Sequence, residues 1–317
     1  MKTYRAIAAS LYSQPHCILP EKLAEIADLI DLKRNGGSLS GLEVQAIVDG
    51  RNNPEGELVA ASGVSAALSG VPSGGESRYM AVVPIFGTMF QHGGVRMDAS
   101  GGVSTEQLSR QLEQLDNSPA VSTIMLEVHS PGGQVWGTQE LAEVVRGIRD
   151  RGQTRIVTLA NSQMASAAMW VGTATKKVYV TPGGEIGSLG VVTMHQDVSK
   201  AEEQEGLKTT LIAYPERKIE GHPYAPLSDA GREELTADIM ATYKTFVKDM
   251  GRNRGVTASE AEAKFGGGAM LRAGDAVAAG LADTIATRRQ AFEAELKRLQ
   301  PRGKSNSARI NQALLDG

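Results

Sequence analysis

The chain has 317 residues, 41 % of them hydrophobic, with 33 Lys and Arg against 36 Asp and Glu. That length can bury a sizeable core, and a net charge of −3 leaves no electrostatic footprint for nucleic acid. A lone cysteine, Cys17, excludes an intrachain disulfide, fits a reducing compartment and reads as structural. No run of about 18 apolar residues occurs, so no membrane span is expected. The start, Met1 to Ser10, is expected to carry no secretory signal, because it lacks a long enough apolar region.

In chain order, residues 15–34 place Leu23, Ile26, Leu29 and Ile30 on one helical face, and Gly41 to Ile47 suggests a second short helix. Gly50 to Ser77 is rich in Gly, Ser, Asn and Pro and reads as a linker. A strand at Met80–Ile85 opens the main domain near Arg78. A helix over 105–116 follows, using Leu108, Leu112 and Leu115, and then a strand over 122–128. Leu141, Val144, Val145 and Ile148 sit at helical spacing; strand 155–160, a small-residue helix through Ser166 and a strand at Val178–Val180 come next. Such strand–helix repeats predict α/β layers with largely parallel strands. Gly190–Met194 and Thr209–Ala213 are predicted strands. A long helix capped near Ser228 should stripe Leu235, Ile239, Tyr243, Phe246, Val247 and Met250 for core or subunit packing. A further helix is expected within 284–299, with a frayed polar tail after Gln300.

The chemistry concentrates at two strand ends. Ile124–Val128 leads into Ser130-Pro131-Gly132-Gly133, and Ile156–Ala160 leads into Met164-Ala165-Ser166-Ala167-Ala168. A glycine turn bares backbone N–H groups that can hold an oxyanion, and a serine at a helix start can attack a carbonyl. Alone, the glycine pair is an ordinary turn and Ser166 a close-packing residue; together they suggest acyl transfer, foremost peptide hydrolysis. The serine needs a base, and two candidates lie downstream. His195, with Asp197 two residues later, has the parts of a triad, but sequence proximity does not establish the geometry. Lys218 can serve only if burial favours its neutral amine over an ordinary pKa of about 10.4.

Residues 80–285 resemble the S49 family of serine peptidases, which spans signal peptide peptidases and phage capsid-assembly proteases. The matching segments are Leu126-Glu127-Val128-His129-Ser130-Pro131-Gly132-Gly133, Gln163-Met164-Ala165-Ser166-Ala167-Ala168, Gly187-Ser188-Leu189-Gly190-Val191 and Lys218-Ile219-Glu220-Gly221-His222-Pro223-Tyr224. The resemblance implies a ClpP/crotonase-like α/β core, with a small helical N-terminal segment ahead of it. It also implies a Ser–Lys dyad of Ser166 as nucleophile and Lys218 as general base. Gly133 and Ala167 match backbone oxyanion donors, Ser188 a supporting serine near the dyad, and His195 becomes peripheral. No metal or organic cofactor is implied.

The expected division is a helical segment over 1–50, a linker over 51–77, the peptidase domain over 78–285, and a C-terminal helix and tail over 286–317. The expected role is a cytoplasmic, phage- or prophage-encoded serine endopeptidase, working within assembling procapsids on scaffold or capsid polypeptides. A homo-oligomeric ring is expected as well, with the Lys218 segment able to approach a neighbouring subunit's Ser166. Two rival readings are a catalytically silent capsid or portal component and an acyl-CoA-handling crotonase-like enzyme. The latter needs a carboxylate near the glycines, and Glu127 lies buried in a predicted strand.

Overall fold

A computed structural model describes residues 15–34, 56–60, 65–67, 78–92, 102–265 and 267–299. The helix expected between Gly41 and Ile47 and the polar tail lie outside them. In chain order the elements are β1 (His16–Ile18), α1 (Pro20–Arg34), β2 (Glu57–Ala60), β3 (Ser65–Ala67), β4 (Tyr79–Phe86), β5 (Thr88–Phe90) and β6 (Gly102–Ser104). Then come α2 (Thr105–Asp116), β7 (Val121–Ser130), β8 (Gly132–Gln134), α3 (Thr138–Arg151), β9 (Arg155–Ala165), α4 (Ala167–Gly172), β10 (Val178–Val180) and β11 (Glu185–Gly187). The remainder comprises α5 (Ser199–Gln204), a 3-10 turn (Glu216–Ile219), α6 (Asp229–Arg254), α7 (Ala258–Phe265), β12 (Met270–Arg272), α8 (Ala273–Ala279), β13 (Thr284–Ile285) and α9 (Arg288–Leu299).

The result is a mixed α/β fold on a parallel core. β4 pairs parallel with β7, β7 with β9, and β9 with both β10 and β11. Alternate residues of these strands face opposite layers, which is why the strands read as continuous apolar runs. Ala81, Val83, Ile124, Leu126 and Ile156 join one core with Leu108, Leu112, Leu141, Val145 and Phe246 from the helices. Met80, Val82, Met125, Val157 and Leu159 face the other side, where Ala291 and Leu299 of α9 cover them.

A charged cluster pins α9 to that second face. Glu295 is fully buried and accepts from Arg155 Nε at 2.7 Å and from the Tyr179 hydroxyl at 2.7 Å. Burial pushes the Glu295 carboxyl up, but the Arg155 and Tyr179 bonds outweigh it and hold the group below its usual range. Its stabilising contribution is therefore complete above about pH 4.3, the unfolded value, and is lost as pH falls through the folded one. Glu295→Ala strands a buried phenol and a partly buried guanidinium, and should lower unfolding free energy at pH 7 by about 3 kcal/mol in urea titration. For Glu295→Gln, the stability gap to the unmodified chain should narrow on acidification below that range. A constant gap would contradict this account.

Several local expectations change under tertiary pairing. Within the stretch that reads as linker, β2 pairs antiparallel with β4 and β3 with β2. Strand β9 does not stop at 160. A register irregularity opposite Val128–Ser130 lets it run on to Ala165, where Gln163–Ala165 pair with β11. Ser166 thus precedes helix α4 instead of lying inside it. The two predicted strands at 190–194 and 209–213 are not formed. Val192 makes a single bridge to His16, and Thr209–Ile212 lie exposed with no partner strand. High β-propensity is not enough where no neighbouring edge accepts the ladder. Ser228 does cap α6, accepting from Gly231 N–H at 2.9 Å. Of the predicted stripe, only Phe246, Val247 and Met250 in the C-terminal half are buried; Leu235 and Ile239 are half-buried, and Met240 is exposed.

Candidate active site

Ser166 is fully buried at the junction of β9 and α4, with φ 50° and ψ −114°. A non-glycine residue in that region is strained, and such strain persists only where its surroundings impose it. Here they do. Ser166 N–H donates to Gly187 O at 2.8 Å, tying the junction to the end of β11, and Trp170 N–H donates to Ser166 O at 2.9 Å as the first backbone bond of α4. The Ser166 hydroxyl caps nothing. It lies 3.5 Å from Gly190 O and against the thiol of Cys17.

α4 is itself anchored by the buried half of α6. Trp170 stacks on Phe246 with ring centroids 4.3 Å apart, and its indole N–H donates to Asp249 at 2.9 Å. Asn253 closes the contact by donating to Trp170 O at 3.1 Å. The long helix predicted from its apolar stripe is thus what fixes the position of the candidate nucleophile.

The glycine turn lies beside Ser166. Gly132 has φ 100°, and a Cβ there would overlap the Cys17 carbonyl oxygen and lie 3.1 Å from Ser166 Cβ. Gly133 meets the opposite neighbour, since a Cβ would overlap the backbone of Met89 in β5. Both positions therefore demand glycine, one for conformation and approach, the other for approach alone. Ser130 braces the turn, donating to Gly87 O at 2.6 Å and accepting from Gly132 N–H at 3.2 Å.

β8 carries Gly133 into a small sheet ordered β1-β8-β5-β6. β1 pairs antiparallel with β8, Cys17 opposite Gly133. Leu19 N–H donates to Pro131 O at 3.0 Å, which marks that pair as hydrogen-bonded. By the alternation of antiparallel ladders Cys17 and Gly133 then exchange backbone bonds as well. The Gly133 N–H is thus aimed at a peptide carbonyl beside Ser166. Ala167 N–H opens α4 and has no acceptor within its own helix.

The remaining expected residues are not gathered at the serine. Ser188 is buried just past β11, with φ 60° and its N–H donating to Ala269 O at 2.8 Å; its link to Ser166 runs through the preceding Gly187 carbonyl, which accepts from Ser166 N–H. Lys218 lies in the 3-10 turn, exposed, with no side-chain partner among the described residues. His195 contacts His222 O through Nε2 at 3.0 Å, and Val198 N–H donates to Pro223 O at 2.7 Å. Those bonds hold the lysine-bearing segment and leave His195 without a contact to Ser166. Asp197 does not orient that imidazole; it accepts from Ser199 N–H at 2.9 Å. Glu127, the carboxylate an acyl-CoA reading would need, is taken by Arg288 at 2.7 Å and Asn161 at 2.8 Å.

Cys17 is the site residue that sequence reasoning left as structural. Burial pushes its thiol up to about 12, against the opposing effect of the Ser166 contact. A signal was present: Cys17 lies in a short apolar run between Pro15 and Pro20, and Leu19, immediately before Pro20, favours extended backbone.

The family model described as peptidase family S49 matches residues 149–300. The chain is 30 % identical over 230 residues to capsid assembly protease C of Escherichia phage lambda, an alignment covering 69 % of this chain and 51 % of that protein. Identity is 28 % over 211 residues to head-tail preconnector protein GP5 of Enterobacteria phage P21, covering 65 % and 40 %. With protease 4 of Haemophilus influenzae it is 21 % over 211 residues, covering 65 % and 32 %. The chain thus spans about half the length, or less, of these relatives. Among the described residues no helix is long and apolar enough to cross a membrane. On the matched region and these relatives, the chain belongs to peptidase family S49.

Proposed function

We propose that the chain is a serine endopeptidase acting through an acyl-enzyme on scaffold or capsid polypeptides during phage head assembly. The observation that carries this reading is the buried, strained Ser166 facing a peptide carbonyl that already sits on the Gly133 amide. The neutral Lys218 amine takes the Ser166 proton as Oγ attacks the scissile carbonyl. The Gly133 and Ala167 amides hold the oxyanion, and Lys218 returns the proton to the leaving amine before water hydrolyses the ester. Ser188, on the strand end that ties down Ser166, supports the dyad. The core that carries this chemistry is ClpP/crotonase-like, centred on residues 78–285.

Lys218 reaches the serine across a subunit boundary. Its exposure in a single chain supports this, because a lysine acts as base only when desolvated. The flanking segment exposes Ile212 by 95 % and Tyr214 by 97 %, apolar surface that a neighbouring copy would cover. A head-to-tail contact of this kind closes into a ring when the rotation allows. The test is prolonged labelling with a fluorophosphonate, followed by mass mapping of the modified peptide. Modification at Ser166 is expected; modification confined to another serine, such as Ser162, overturns the assignment.

A further inference from the structure

Peptide hydrolysis makes no use of β1, yet that strand lies across the nucleophile. On one edge it pairs antiparallel with β8, His16 opposite Gln134 and Ile18 opposite Gly132. On its other edge His16 N–H donates to Val192 O at 2.7 Å, and the His16 carbonyl oxygen accepts from Val192 N–H at 2.9 Å. Between these contacts the Cys17 carbonyl takes the Gly133 N–H, with its oxygen packed on the Gly132 α-carbon next to Ser166. An extended chain held on both edges, with one carbonyl on the oxyanion donor beside the nucleophile, has the geometry a protease requires of a bound substrate.

We infer that His16–Leu19 occupy the substrate channel as a substrate-like strand, with Cys17 at the position of the attacked residue, so that the chain blocks itself until this strand leaves. The inference rests on Ser166 being the nucleophile. It also describes how a true substrate binds: as an extended segment between β8 and Val192, with a small residue at the attacked position, since the Cys17 side chain is fully enclosed.

The block is tethered by hydrophobic contact outside the reacting atoms. Ile18 packs with Leu23 and Ala27 of α1, and Val192 and Met194 pack against that cluster. Because the strand is part of the same chain, it competes at high effective concentration, and a substrate must displace it to enter. Within a single chain the exposed Lys218 makes no contact with Ser166, so the chain on its own does not cleave the seated strand.

Cys17 is the chain's sole cysteine, so its thiol reports directly on whether the strand is seated. The full-length chain is compared with His16→Pro, which removes the N–H given to Val192, and with Ile18→Asp, which puts a charge in the Leu23–Val192 contact. Two rates are read in each: maleimide addition to Cys17 and fluorophosphonate addition to Ser166. In the unmodified chain both should be slow; in each variant both should rise together, by roughly tenfold or more, as the open population grows. Release of the thiol with no change in the rate at Ser166 overturns the block while leaving the nucleophile intact. Absence of Ser166 labelling in every chain overturns the nucleophile, and the block with it. Should both variants unfold, hydrogen exchange in the unmodified chain decides: protected amides at His16, Leu19 and Val192 support the seated strand, and rapid exchange there refutes it.

Discussion

Ser166→Ala should abolish peptide hydrolysis, with a fall of about 10⁴- to 10⁶-fold, the scale seen when an acyl-enzyme loses its nucleophile. The fold should survive. Ser166 holds its place through backbone bonds to Gly187 and Trp170, and its hydroxyl contributes only a long 3.5 Å contact to Gly190 O and a contact to Cys17. Alanine tolerates φ 50° no better and no worse than serine, so the strain at the junction is unchanged. Unfolding free energy should move by less than roughly 1 kcal/mol in urea titration. Turnover near the unmodified level in a folded Ser166→Ala chain would sink the assignment. A loss of activity accompanied by unfolding would instead point to a packing role for the hydroxyl.

Replacement of Lys218, the base we propose, should be nearly as severe. Lys218→Ala is expected to lose about 10²- to 10⁴-fold in kcat, the usual cost of removing a general base. His195→Gln should keep most activity, because the imidazole is occupied with His222 O and has no contact with Ser166. Inactive Ser166→Ala and inactive Lys218→Ala chains, mixed and allowed to exchange subunits, should then recover activity. Each boundary at which an intact Ser166 meets an intact Lys218 forms a working site. The structural ground is the contrast between the two residues: the serine is sealed in the core, while the lysine stands exposed on a segment with Ile212 and Tyr214 in solvent. Fully active monomers in sedimentation at the assay concentration would refute the shared site. Folded but inactive His195→Gln beside active Lys218→Ala would replace the Ser–Lys dyad with a histidine base.

By itself, the sequence determined the elements whose signals are local. Leu108, Leu112 and Leu115 mark the buried stripe of α2, Ser228 marks the start of α6, and the apolar runs of β4, β7 and β9 mark strands covered on both faces. Helical spacing, a cap and a continuous apolar run each act within a few residues, so they are legible without a fold. The glycine pair and Ser166 were legible as chemistry because each follows such a run. Which edges pair was decided only by the tertiary structure. Tertiary pairing formed β2 and β3 in a stretch that reads as linker, left 209–213 unpaired despite its β-rich composition, and extended β9 to put Ser166 at a strained junction. It also laid β1 beside Gly133, turning an unremarkable cysteine into a neighbour of the candidate nucleophile. The β1–β8 pairing and its close backbone approach join residues more than a hundred positions apart. Their free energy depends on which edges the completed core leaves open, and no local pattern encodes that.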